Sequence, residues 1–309
     1  MPLPSNEKLV ALSEELIAQF ETIFGSHPGF RPAHARGAML TGTFSPTPEA
    51  ANLSSAPHFN QSSTPVTVRF SSSTGIPAIP DTDPNANPRG LAIRFDLPEH
   101  DGRRVHTDII SHSAPAFPTR TGEEFLEFLR ALAGGTVEDF LSTHPATKAF
   151  VQTPKPFPTS FAREGYFALH AFKFTNSDGV TRFGRYTIIP DAGLEHLDEA
   201  SVKSKGERYL FDELQERVGK NPIVFHILCQ IAEDGDVTDD TTVHWPKDRA
   251  TVNVGKVTLN TLVPDNEHEE KKIIFDPIPR VKGIEESDDP LFELRAALYL
   301  VSGRRRRAA

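Results

Sequence analysis

A single cysteine, Cys229, stands in 309 residues, which excludes an internal disulfide framework or a paired-cysteine zinc site and fits a reducing compartment. No apolar run approaches the roughly 20 residues that a membrane-spanning helix needs. Positive charge is in deficit, with 33 Lys and Arg against 42 Asp and Glu and a net charge of −9, and that argues against general nucleic-acid binding. The one basic block, Arg304 to Arg307, is a terminal run that reads mostly as solvated. A basic start followed by an apolar core is missing too: Glu7, Glu14 and Glu15 fall in an amphipathic pattern, so no signal peptide is visible and a cytoplasmic protein is expected. No G-x-S-x-G elbow, P-loop, G-x-G-x-x-G turn or H-E-x-x-H helix occurs, which removes the common hydrolase and NTPase readings. No segment repeats at a fixed period.

What is there is the composition of a soluble globular chain, 38% hydrophobic and 24% charged. Leu9, Leu12, Leu16, Ile17, Phe20, Ile23 and Phe24 recur at helical spacing and predict a helix over 6–24, stopped by Gly25. The stretch 37–63 carries only a weak apolar pattern. Alternation predicts strands at 66–70, 91–95 and 104–110, then a helix opened by Thr121 and stopped at Gly134, and another from Thr136 to before Pro145. Strands at 167–174 and 182–189 flank Asn176-Ser-Asp-Gly179, a hairpin signal. A helix over 207–218, a buried strand at 223–231 and strands at 256–263 and 271–275, paired across an acidic loop, follow. A last helix starts behind Asp289-Pro290, with Leu291, Leu294, Leu298 and Val301 as its apolar stripe. The class is α+β: an antiparallel β-barrel of about eight strands with attached helices, in one domain over residues 1–309.

Two stretches carry chemistry. Arg31-Pro-Ala-His34-Ala-Arg-Gly37 sets a histidine, a potential general base, behind a Pro/Gly-rich break. Arg295-Ala-Ala-Leu-Tyr299 sets a guanidinium one helical turn from a phenol, which favours the ionised phenol, a good ligand for ferric iron. Each has an ordinary reading as well, a surface histidine and a stacked Arg–Tyr pair. His106 and Asp108, two apart on a strand with His112 nearby, offer a carboxylate–imidazole metal site without a clear fourth ligand.

Taken together, these stretches resemble the catalase superfamily, most closely its short catalase-related peroxidases. Arg31-x-x-His34-Ala-Arg-Gly37 is similar to the distal-histidine motif, Val68-Arg-Phe-Ser71 to the strand that meets a haem propionate and the distal histidine, and Asn87-Pro-Arg-Gly90 to the turn that follows. Trp245-Pro246, Val254-Gly-Lys-Val-Thr-Leu-Asn260 and Phe275-Asp-Pro277 are similar to the late barrel run, and Arg295-x-x-x-Tyr299 to the proximal iron-ligand motif. The resemblance spans about residues 25–307. It implies haem b with ferric iron, Tyr299 as the metal ligand supported by Arg295, and His34 as general base and then acid, oriented by Ser71. Arg31, Arg69 and Arg306 would hold the propionates, and Phe117 and Phe125 an apolar distal wall. Where the family's pattern has a distal asparagine before a proline, this chain has His112-Ser-Ala-Pro115, and His112 is taken as a further catalytic candidate.

Full-length catalases are longer at both ends, so a monomer or small homo-oligomer is expected rather than an interlocked tetramer. The function implied is a peroxidase that reduces hydrogen peroxide or organic hydroperoxides with a small-molecule electron donor and retains weak catalase activity. Two alternatives stay open. One is a fatty-acid hydroperoxide-rearranging enzyme like allene oxide synthase, although those tend to carry threonine where Ala33 stands. The other is a non-enzymatic haem-binding barrel, which would need no distal base.

Overall fold

The computed structural model describes residues 4–309. Helix α1 (Glu7–Phe24) is capped by Asn6, whose Oδ1 accepts the Leu9 N–H at 3.2 Å. Next come β1 (Gly37–Pro46), α2 (Pro48–Leu53), β2 (Thr64–Ser71), β3 (Gly90–His100) and β4 (Arg103–His112). Helices α3 (Gly122–Gly134), α4 (Val137–Thr143) and α5 (Pro145–Gln152) lead to β5 (Phe157–Pro158), β6 (Tyr166–Thr175), β7 (Thr181–Pro190) and β8 (His196–Leu197). Then follow α6 (Glu199–Lys203), α7 (Tyr209–Val218), β9 (Ile223–Ile231), β10 (Thr251–Leu262), α8 (Asn266–Lys272), β11 (Ile284–Glu286) and α9 (Leu291–Ala308).

Eight strands pair antiparallel in the order β6-β4-β3-β2-β1-β10-β9-β7, and β7 also pairs with β6, so the sheet closes. Closure removes the sheet edges of an open structure, and β11 merely adds to β6. Alternate residues fill the interior, among them Val66, Val68 and Phe70 of β2, Leu91, Ile93 and Phe95 of β3, and Phe225, Ile227 and Cys229 of β9. Burial pushes the Cys229 thiol pKa up, which makes it inert. A second apolar cluster joins α1, α3 and α9 through Leu16, Phe20, Leu126, Leu129, Leu291 and Leu294. Of the three, α9 touches the barrel through Phe292, which packs on His170 and Phe172 of β6. No helix among the described residues is long and apolar enough to cross a membrane.

The structure departs from the expected elements in the weakly patterned and charged stretches. Residues 37–63 contain β1 and α2; alternation in β1 is masked by Gly42, which sits at a register shift after Thr41 and passes so close to β10 that a Cβ would fall 2.0 Å from Thr258 O. The strand expected at 271–275 is absent, and the acidic loop before it is α8. Its partner strand is β10, which pairs with β1 and β9 instead. The helix from Thr136 does end before Pro145, at Thr143, but Pro145 then opens a further helix, α5, as a first-turn residue, where the sequence pattern indicated none.

Candidate functional site

Because side chains alternate along β2, the residues between its inward Val66, Val68 and Phe70 face outward, and these include Arg69 and Ser71. The ladders carry that outward row across the sheet: Gly37 pairs with Ser71, Ser71 with Gly90, Gly90 with His112, and His112 with Phe167. Between this wall and α1, α3 and α9 lies a cavity of about 240 Å³. His34, Ser71, His112, Phe117, Phe125 and Tyr299 all line it, as do Arg31, Arg69, Arg295 and Arg306, so these ten candidates are brought to one place, whereas His106 and Asp108 lie outside it.

His34 arrives from the loop before β1 with φ of 57°, in the left-handed region. That conformation is uncommon for a residue with a side chain and costs roughly 1–2 kcal/mol. Its amide donates to Ser73 O at 2.9 Å, and its carbonyl accepts Arg69 Nη2 at 2.9 Å, which holds the turn. The ring's Nδ1 lies 3.0 Å from Ser71 Oγ. Gly90 makes the space, since a Cβ there would fall 2.4 Å from Ser71 Oγ and 2.9 Å from His34 Nδ1. Burial, first, and then the Arg69 and Arg31 guanidiniums lower the His34 pKa to about 4, so the ring is neutral at neutral pH.

Across the cavity, α9 places Arg295 and Tyr299 on one face. Arg295 Nε and Nη2 donate to the phenol oxygen at 3.1 and 2.9 Å, which makes that oxygen an acceptor. Phe117 and Phe125 pack against each other with centroids 5.2 Å apart, and Phe125 reaches Phe20 of α1. Arg31 and Arg69 converge on Glu270 Oε2 at 3.4 and 3.0 Å. Arg306, which is 4% exposed, joins them, sharing with Arg31 the carbonyl of Ile273. Burial and then Arg69 pull its pKa down to about 10. Three guanidiniums face one carboxylate, and the Nε atoms of Arg69 and Arg306 have no partner. A surplus of two positive charges fits a group that brings two carboxylates of its own.

Two residues escaped the sequence reading as site residues. Buried His170 of β6 holds Asp289 through Nδ1 at 2.7 Å and stacks on Phe292 at 4.2 Å, and Asp289 Oδ1 accepts the Leu291 N–H at 2.9 Å. The pair therefore ties the barrel to the start of the helix that carries Tyr299. Asp289 gave only a capping signal, and nothing local pointed to His170. The metal site considered at His106 and Asp108 is not formed: Arg94 takes both Asp108 oxygens at 2.9 and 2.7 Å, and Asp276 N–H takes one at 2.7 Å. Among the described residues no three His, Cys, Asp or Glu groups could hold an ion.

The fold and site define a closed eight-stranded antiparallel barrel whose pocket lies outside the barrel, under helices. The chain belongs to the catalase family, whose model matches residues 27–309. It is 35% identical to a catalase-related peroxidase of Mycolicibacterium paratuberculosis over 90% of this chain and 89% of that one. It is 33% identical to a catalase-related peroxidase of Synechococcus elongatus, over 94% and 87%. In fold it superposes on a fungal catalase with a TM-score of 0.80 at 23% identity, and on catalase A of Saccharomyces cerevisiae with 0.79 at 22%. It covers 99% of itself in both but only 63% and 65% of those chains. The family and fold imply a haem cofactor, and the arginine cluster fits one.

Proposed function

We propose that the protein is a haem-dependent peroxidase that reduces hydrogen peroxide or organic hydroperoxides with an external small-molecule donor and dismutates hydrogen peroxide only weakly. The observation that carries this reading is one cavity shared by a neutral imidazole, His34, and a phenol oxygen, Tyr299, that receives two guanidinium N–H groups. The group would be haem b, with Tyr299 on ferric iron, Arg31, Arg69 and Arg306 toward its carboxylates, and Phe117 and Phe125 against its apolar face. When bound, it supplies the redox-active iron at which a peroxide O–O bond is cleaved.

The chain's own residues supply proton transfer and orientation. With Nδ1–H donated to Ser71 Oγ, His34 presents the Nε2 lone pair to the peroxide O–H, takes that proton, and returns it to the leaving oxygen. Over the whole cycle the peroxide takes two electrons and two protons from the donor, an organic hydroperoxide leaving as alcohol and water and hydrogen peroxide as two waters. Arg295 keeps the Tyr299 oxygen an acceptor. A second cavity of about 200 Å³, bordered by Glu21, His27 and Phe30, shares Arg31 and Arg306 with the first, and would give a donor an approach to the carboxylates of a bound haem. The relatives named catalase-related peroxidase support the same reading.

The test is an optical spectrum of the purified protein, with and without Tyr299→Phe, followed by oxygen release and donor oxidation measured on one haem-loaded sample. A tyrosinate-type ferric spectrum lost in the variant, with donor oxidation dominant, is expected. A colourless protein that cannot be loaded with haem would sink the proposal. Consumption of a fatty-acid hydroperoxide without any donor would favour the rearranging enzyme instead.

A further inference from the structure

One imidazole in the cavity, that of His112, takes no part in the proton transfer by His34. His112 ends β4, opposite Gly90, and its ring lines the same space as His34. Its Nδ1 accepts the backbone N–H of Ala114 at 3.1 Å. That amide is held in place by its neighbour: Ser113 N–H donates to Arg89 O at 2.8 Å, and Arg89 N–H donates to Ser113 Oγ at 2.9 Å. Arg89 is itself fully buried, with its guanidinium on Ser72 Oγ and Asp81 O.

The two rings differ in what their Nδ1 atoms touch. A serine hydroxyl can donate or accept, so Ser71 allows His34 either neutral form. A backbone N–H only donates, so Nδ1 of His112 must carry a lone pair and the proton of the neutral ring sits on Nε2. We infer that His112 is a fixed hydrogen-bond donor to an oxygen of the bound hydroperoxide, complementing His34 as base; this rests on the peroxidase reading above. The charged and titratable groups that act most strongly on the ring are His34, Arg295, Lys155 and His170, with Asp289 behind His170 at 2.7 Å. Burial first, and then His34, hold its pKa near 3. His112 therefore stays neutral, with its donor in place, through the pH range in which His34 works. An amide at this position could supply the same kind of donor, whereas an aliphatic side chain could not.

The tautomer is testable on the purified full chain by ¹⁵N-histidine NMR between pH 8 and 5, the His112 ring being assigned by its loss in His112→Asn. An Nε2–H ring that does not titrate is expected. An Nδ1–H ring, or one that titrates between pH 5 and 7, overturns the inference whatever the activity. On the haem-loaded protein, His112→Ala should lower kcat/KM for an alkyl hydroperoxide by about tenfold and weaken cyanide binding, read optically, by a similar factor, the loss of about one hydrogen bond. His112→Asn should restore most of both, and neither variant should move the acid limb of the rate profile. An unchanged His112→Ala, a shifted acid limb, or His112→Asn no better than His112→Ala overturns the donor role. Failure of the wild type to take up haem would instead overturn the peroxidase reading, and the donor role with it.

Discussion

The two faces of β2 and β3 obey different rules although they are the same strands. Inward, Val66, Val68, Phe70, Leu91, Ile93 and Phe95 make an apolar core whose members depend on volume and little else. Outward, Arg69, Ser71 and Gly90 have value only through partners that come from elsewhere: His34 on its loop, Glu270 on α8 and His112 on β4. Neighbours in sequence are thus assigned to stability and to chemistry in turn, and a change of one should leave the other largely alone. The core holds exceptions, Thr64 of β2 with its Oγ1 buried and unpartnered, and a larger one, His58. His58 is packed between Phe44 and Phe95 at 6.1 and 4.6 Å with its Nδ1 buried and unpartnered, a polar group among apolar ones.

The largest expected effect lies on the outward side. His34→Gln should slow reaction with peroxide by about a hundred- to ten-thousandfold while haem binding and melting stay as they were. In the wild type the rate should hold from pH 8 to 5 and fall as the pH drops through about 4, because the ring must be neutral to act as base. A rate that falls already near pH 6.5 would contradict the depressed value. The comparison is sharpest at adjacent residues. Phe70→Ala empties a site stacked on Phe161 at 5.2 Å and should destabilise by about 3–5 kcal/mol in denaturant titration, with the remaining folded protein still active. Ser71→Ala should lose activity and change stability by no more than about 1.5 kcal/mol. Equal losses of stability would break the division. Gly90→Ala drives a methyl against Ser71 and His34, and about a tenfold fall in rate is expected through displacement of the base. Unaltered kinetics there would mean that the loop of His34 yields freely.

The smallest effect tests the larger exception. His58→Phe removes the orphaned nitrogen from an aromatic surrounding and should stabilise by about 1–3 kcal/mol at pH 7. Burial holds the folded His58 pKa at about 3, below the ordinary 6.5. The contribution of its neutral ring is therefore fully present above 6.5 and is lost as pH falls toward 3, since the unfolded chain takes up the proton first. The advantage of His58→Phe should widen over that window in paired melting curves. A variant that melts lower, or a gap that stays constant, would show that the histidine has a use in the core.

Much of this arrangement could be read before the fold was known, and the readable parts share a property. The hairpin turn closes on itself, Asn176 Oδ1 accepting the N–H groups of Asp178 and Val180. Arg295 and Tyr299 meet because four residues make about one helical turn. His34 and Ser71 were paired by likeness to a family, for no local spacing joins them. Residues 266–272 misled because a charged run carries little apolar period, and α8 is held instead by tertiary contacts such as Asn266 Oδ1 on the Met39 N–H at 2.7 Å.

By itself, then, the sequence determined what is local: most strands by their period of two, the long helices by their stripes and caps, and the Arg295–Tyr299 pair by one turn of helix. Only the tertiary structure decided which outward residues share a row, that Glu270 sits among Arg31, Arg69 and Arg306, that His170 grips Asp289, and that the Nδ1 of His112 meets the Ala114 N–H. Each of these depends on ladder register or on groups far apart in the chain. A slip of one residue between strands would send the whole outward row to the inside, and no periodicity along a single strand records where its neighbour begins.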